Sequence, residues 1–419
     1  MEVLQQKRKF EMLIGKDPDF SEYLSSQKAQ CMELRSKEVL SDEEGDAYPN
    51  VVINEDVHPH GLKALNSHTI DVWCWMVMEQ LNGPALPNLM NSFRAACRYG
   101  FESDERHTYQ VPMKNVFSKV LTFVLCEADG IFRKMLGVPD SCRKEIFLKS
   151  QSSSLWIKIR PLMKSYLRSC LLLLNQVTDI QIIVFILSRV KASAVFFSSF
   201  PSLTKLLIKI SVHLWVTGEE DLSLFSFSVV LEIVSKLHSD CYDTCLMKTY
   251  KAFVGQSKFF DSANLKRFQF LENSIVELYS FDLQNSYHHI LASLQQLAYT
   301  LSQAIKTKKK EELIKVCNWQ YINSISLWVK FLVCNLQNHD LLPLFSLSVV
   351  VINGIVHLFP GHRYFPLRFR CVQMLNQLSL ASGIFVPVVS LVLDFVEHKV
   401  SNADSSHVKS FNYSSVLKA

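Results

Sequence analysis

The sequence predicts an all-α fold, arranged as a HEAT- or armadillo-like solenoid of helical repeats, and three observations carry the prediction. Only 12 Gly and 13 Pro occur in 419 residues, too few for many tight hairpins, while 28 Phe supply ample core material. Apolar residues recur at steps of three and four over long stretches, the spacing of one helix face. Breakers fall between these stretches at intervals near one helix pair, and HEAT and armadillo repeats have a period of roughly 40–47 residues. The repeats do not align residue to residue, so a non-repetitive helical bundle stands as the alternative.

Residues 1–60 read as a short helix and an acidic linker: Lys16-Asp17-Pro18-Asp19-Phe20 ends one piece of pattern, and the run Leu40 to Asp46 is too polar and broken to pack. The solenoid is expected over residues 61–399, with a truncated tail at 400–419. Within it, Ser67–Asn82 and Pro87–Tyr99 read as two amphipathic helices separated by Asn82-Gly83-Pro84. Further on, Pro112, Pro139, Pro161, Pro201, Gly218, the Asp261–Asn264 turn, Pro343, Pro360 and Pro387 punctuate the pattern. The clearest helix spans 283–301, where Leu283, Tyr287, Ile290, Leu294, Leu297 and Leu301 share a face. Ser223–Leu237 is apolar nearly all round and must be enclosed on several sides. β-Branched runs such as Ile182–Ile186 and Val349–Ile352 continue into helical patterns, which argues against a parallel sheet.

The formal net charge is +5, unevenly spread: residues 1–50 carry 7 Lys/Arg against 11 Asp/Glu, leaving +9 beyond. That excess suits approach to RNA or another polyanion and is far below a dedicated nucleic-acid tail. Eleven scattered cysteines and a polar start at Met1–Lys9 without an apolar leader point to a reducing compartment. Leu341–Phe359 is 19 residues without an acidic or basic side chain other than His357, the length of a membrane span. Pro343, Asn353 and Gly354 interrupt it, so it reads as a buried helix and no membrane is expected.

No phosphate loop, Gly-x-Ser-x-Gly elbow or His-Glu-x-x-His pair occurs, and no catalytic residue or cofactor is assigned. His238, Cys241 and Cys245 share a helical face, but a structural zinc site wants four ligands, so no metal is assigned. His288-His289 reads as one exposed and one half-buried histidine. Two basic clusters remain. Lys306, Lys308, Lys309 and Lys310 precede Glu311 and Glu312 and suit either a polar connector or phosphate contact. Arg363, Tyr364, Phe365, Arg368 and Arg370 follow, with Pro360 and Pro366 expected to bracket a rigid loop. Either that loop meets a partner or RNA, or Phe365 and Phe369 plug the core while the arginines pair internally.

Two signatures are uncommon by chance: Trp319-Gln320-Tyr321-Ile322-Asn323 running on to Leu327-Trp328, and Arg363 to Cys371. The tryptophans are nine residues apart, so at most one is expected at the centre of a buried face, the other toward its edge. With Cys245–Val254, Ser257-Lys258-Phe259, Asn273–Tyr279, Asp282-Leu283, Tyr287–His289 and Gln295–Ala298, these segments resemble the nucleolar complex protein 2 family. Weaker likeness reaches back through Phe93–Ala96 to Lys16–Phe20, covering about residues 16–399. The resemblance implies a non-catalytic factor in maturation and intranuclear transport of large ribosomal subunit precursors. The implied partners are homologues of nucleolar complex proteins 1 and 3 and the pre-ribosomal particle, with direct rRNA contact, in nucleolus and nucleoplasm. A general helical-repeat nuclear adaptor for transport or chromatin is the alternative. The chain lacks the family's long charged N-terminal tail and stops where relatives continue into further helices, which fits a shortened isoform or an incomplete gene prediction.

Overall fold

The computed structural model describes residues 67–80, 85–98, 114–139, 144–237, 241–259, 264–337 and 339–393. The expected N-terminal helix and acidic linker, the residues His238 and Pro112, and the tail lie outside them. Among the described residues every regular element is helical and no strand occurs. The chain divides into two compact units, Met1–Leu203 and Thr204–Ala419.

The first unit holds α1 (Ser67–Gln80), α2 (Ala85–Arg98), α3 (Lys114–Leu136), α4 (Lys144–Ser150), α5 (Ser154–Gln176) and α6 (Ile180–Ala192). α2 packs against α1, α3 and α5, and α3 against α1, α5 and α6. The aromatic core runs from Phe93 to Tyr166 (ring centroids 5.9 Å apart), Phe132 and Phe196, then Phe147 and Trp156. Helix starts follow the capping rules: Asp179 accepts from the N–H groups of Gln181 and Ile182, and Ser153 from Trp156, satisfying donors the first turn leaves open. Arg133 closes the unit from within, donating to Asp129 at 2.8 Å and to the carbonyls of Pro139 and Ala192 at 2.9 Å each.

Pro161 departs from the expected punctuation, because it lies inside α5. Proline there removes one bond to the carbonyl of residue 157. Ile157 is 77% exposed, so that position is on the watery side, and burial of Trp156, Ile159, Leu162 and Met163 holds the helix together across it. Pro201, Pro343 and Pro366 instead occupy the first turns of helices, where no N–H is missed.

α7 (Pro201–Thr217) leads into the second unit, followed by α8 (Glu220–Leu237), α9 (Tyr242–Gln256), α10 (Leu265–Ser280), α11 (Leu283–Thr307), α12 (Lys310–Val316), α13 (Trp319–Asn335), α14 (Leu342–Leu358) and α15 (Phe365–Ser382). Between α7 and α8, Gly218 approaches the backbone so closely that a Cβ would meet the Leu214 carbonyl oxygen at 2.5 Å. Two rows form from α9 onward. α13 touches both α10 and α15, while α11 touches both α9 and α14. Cross-row contacts α9·α10, α10·α11, α11·α13, α13·α14 and α14·α15 complete the stack.

α11 shows the expected face: Ile290, Leu294, Leu297 and Leu301 are buried, and Gln284, Asn285, Gln295 and Gln296 are exposed. α8 is enclosed except along one strip, where Leu224 is 58% exposed. α14 makes up all but the two end residues of the candidate span, yet Val350 faces out and other residues of the helix pack on α11 and α15. No described helix is long and apolar enough to cross a membrane.

α13 overturns the expectation for its tryptophans. Nine residues is about two and a half turns, so Trp319 and Trp328 point to opposite sides, and both are buried. The reason is position: α13 is in contact with α9, α10, α11, α12, α14 and α15, and has no single buried face.

Candidate functional site

The family signatures converge first on an internal hub. The Trp328 indole donates to Ser293 Oγ at 2.8 Å, and Ser293 donates on to Tyr250 Oη at 2.7 Å. The rings of Tyr250 and Tyr279 lie 5.0 and 5.2 Å from that of Trp328. Tyr279 donates to the Leu246 carbonyl, Tyr321 to the Leu297 carbonyl, and the Gln320 side chain to the Val254 carbonyl. Burial raises the Tyr279 and Tyr321 phenols well above their ordinary value, so these donors stay protonated. The hub therefore ties α9, α10, α11 and α13 together, a packing role.

The arginine signature is divided. A short 3-10 turn, His362–Tyr364, runs straight into α15, so Phe365 to Arg370 are helical, and the expected proline-bracketed loop ends at Tyr364. Arg363 is exposed, and its charge acts on Cys317 at the end of α12, opposing the burial that pushes this thiol up to about 11. Tyr364 is half-buried with its ring 4.9 Å from Phe359, and Phe365 is half-buried beneath the Arg368 guanidinium, 5.7 Å away. Arg368 is not on the surface: it is 4% exposed and donates to the Pro360 carbonyl at 3.1 Å. Phe369, a core plug on one of the two readings of this segment, is 55% exposed.

Arg370 points the other way. Its guanidinium donates to Ser326 Oγ at 3.0 Å, in a cleft crossed by α10, α13 and α15. Beside it, Lys330 pairs with buried Glu272 at 3.2 Å, and desolvation raises the Glu272 carboxyl although Lys330 and Arg370 both oppose this. Sequence reasoning passed over Glu272 and Lys330, which are 58 positions apart and meet only through stacking of α10 on α13.

Lys306, Lys308, Lys309 and Lys310 are all exposed at the α11–α12 connection. Lys308 takes the left-handed conformation (φ 51°) that ends α11, and Lys310 opens α12. The charge of Arg363 is felt at Cys317, at the other end of α12 from Lys310. As for the other candidates, His289 meets Asp243 at 3.3 Å, a carboxylate distant in sequence, while His288 is exposed. Cys241 and Cys245 are buried, with the Cys241 thiol directed to the Ile233 carbonyl at 3.8 Å. Among the described residues no group of three or more His, Cys, Asp or Glu is placed to hold a metal ion.

The described residues are all helical in their regular elements, and in the second unit the helices from α9 onward stack in two rows around an aromatic hub, with the lysine cluster and Arg363 exposed at the connections. Residues 240–419, which contain the hub and both basic clusters, match the Noc2p family. The chain belongs to that family. It is 43% identical over 366 residues to Protein REBELOTE of Arabidopsis thaliana, covering 86% of this chain and 61% of the relative. It is 34% identical to the Nucleolar complex-associated protein 2 of the same plant (92% of this chain, 53% of the relative). To Nucleolar complex protein 2 of Drosophila melanogaster it is 31% identical (72% and 39%). The chain thus spans between about two fifths and three fifths of the length of these relatives.

Proposed function

We propose that this chain is a non-catalytic scaffold in large ribosomal subunit biogenesis, working in the nucleolus and nucleoplasm on precursor particles. Membership of the Noc2p family is the observation that carries the reading, since two relatives are named for a nucleolar complex. Its partners are homologues of nucleolar complex proteins 1 and 3, which share with it the transport of precursors out of the nucleolus. The two rows of helices in the second unit support a HEAT- or armadillo-like solenoid, whose long surfaces suit partner helices. The exposed cluster Lys306, Lys308, Lys309 and Lys310 is free to approach rRNA phosphates, while Arg363, Tyr364 and Arg370 supply the protein-facing side. Affinity purification from nuclei, identifying protein and RNA together, tests the reading. Recovery of large-subunit precursor RNA with both partner homologues is expected. Transport or chromatin factors without precursor RNA would establish the general adaptor instead.

A further inference from the structure

We infer that the cleft across α10, α13 and α15 binds an extended peptide segment of a protein partner, gripping its main chain through carboxamides and an acidic side chain through Arg370. The cleft encloses about 370 Å³, within the range of ligand-sized pockets. Gln269 and Asn273 line it from α10, and Gln373 and Gln377 from α15. Each pair is four residues apart, so its members stand one above the other on one helix face. All four are exposed, and none has a hydrogen-bond partner among the described residues. A carboxamide offers two donors and an acceptor, and each peptide unit offers one N–H and one C=O, so the rows match a main chain group for group.

Charge narrows the occupant. Glu272 is 7% exposed, with Oε2 on Lys330 and Oε1 shielded from solvent without a partner. Lys330 is therefore neutralised at the cleft floor, whereas Arg370 is held only by the Ser326 hydroxyl. One uncompensated guanidinium remains, preorganised for a bidentate carboxylate. An acidic side chain on the peptide supplies it. A nucleic-acid strand fits less well. No aromatic residue lines the cleft for base stacking, and phosphodiesters offer no donors to the carboxamide oxygens.

The inference rests on the scaffold reading only in that Arg370 meets a protein; it needs no ribosomal role and is tested without nuclei. A random decapeptide phage library is panned on the full chain, and enriched peptides are then measured by fluorescence anisotropy. Enriched sequences should carry Asp or Glu and lose affinity by about tenfold or more on Arg370→Gln, and likewise on the double change Gln373→Ala with Gln377→Ala. Circular dichroism of these variants should match the parent, since the altered side chains are exposed or half-exposed. Enrichment without acidic residues, affinity indifferent to both variants, or labelled oligouridine binding through Arg370 while no peptide enriches would each overturn the assignment.

Discussion

α13 and the opening turns of α15 lie against one another, yet they handle their polar atoms in different ways. In α13 the polar tips of Trp328, Tyr321 and Gln320 are spent inward, on Ser293 and on the carbonyls of Leu297 and Val254. In α15 two arginines two residues apart, about 200° round the helix, diverge. Arg368 turns in to Pro360, and Arg370 turns to the rim of the cleft at Ser326. The aromatic signature is thus absorbed by packing, while the arginine signature is half packing and half surface. A segment that marks a family is therefore no guide by itself to where the family meets its partners.

The sharpest way to break this comparison is to remove the hub. Trp328→Ala strips a fully buried ring from Tyr250 and Tyr279 and leaves Ser293 without its donor, so it should cost about 3–5 kcal/mol. Urea unfolding followed by helical circular dichroism measures it. A loss below about 1 kcal/mol would show that the hub is not what joins the four helices.

Within α15 the two arginines should separate cleanly. Arg368→Ala removes a buried side chain and its hydrogen bond to the Pro360 carbonyl and should lower stability by about 1–3 kcal/mol. Arg370→Ala and Arg363→Ala should each change it by less than about 0.5 kcal/mol. Equal costs at positions 368 and 370 would mean that the inward and outward assignment is mistaken. Replacing all three arginines at once would confound binding with folding, so the partner test belongs to Arg363 and Arg370 alone.

A smaller effect tests the cleft floor. Burial raises the Glu272 carboxyl above its ordinary 4.5, outweighing the pull of Lys330 and Arg370, so the native state holds this proton more tightly than the unfolded chain. Between 4.5 and the native pKa the native state binds more protons, and stability contributed by this group falls as pH rises. The stability difference between the parent and Glu272→Gln, measured across pH 4 to 8, should decline in the parent's disfavour from about pH 4.5 and then level off. A difference that grows with pH would mean the ion pair with Lys330 dominates desolvation.

Periodicity made the helices legible. The face of α11 and the helical reading of the Ile182 and Val349 runs rest on spacing that acts locally, whereas the Asn82-Gly83-Pro84 breaker lies outside the described residues. What spacing does not encode is how many neighbours a helix will have. The burial of both Trp319 and Trp328 and the tolerance of Pro161 depend on packing partners remote in sequence. The cleft was hidden for the same reason: Glu272, Lys330 and Arg370 become neighbours only when three helices stack. Of the arginine segment, the residues were legible and their directions were not, because a proline in the first turn of a helix reads in sequence like the end of a loop.

A small change of opposite sign is expected at Lys308, where the exposed lysine cluster meets the end of α11. Its φ of 51° closes α11, with its N–H donating to the Ala304 carbonyl at 3.0 Å, in a conformation that any Cβ disfavours. Lys308→Gly relieves that strain and should stabilise the chain by about 0.5–1 kcal/mol, less whatever the unfolded state gains in freedom. Lys306→Gln, Lys309→Gln and Lys310→Gln leave the backbone alone and should each stay within about 0.5 kcal/mol. If the cluster serves phosphate contact, all four changes should weaken binding of labelled oligouridine to a similar degree and reduce its salt dependence, whatever their effect on folding. If Lys308→Gly raises the unfolding midpoint and none of the four alters binding, the lysines serve the connection between α11 and α12 and nothing outside it.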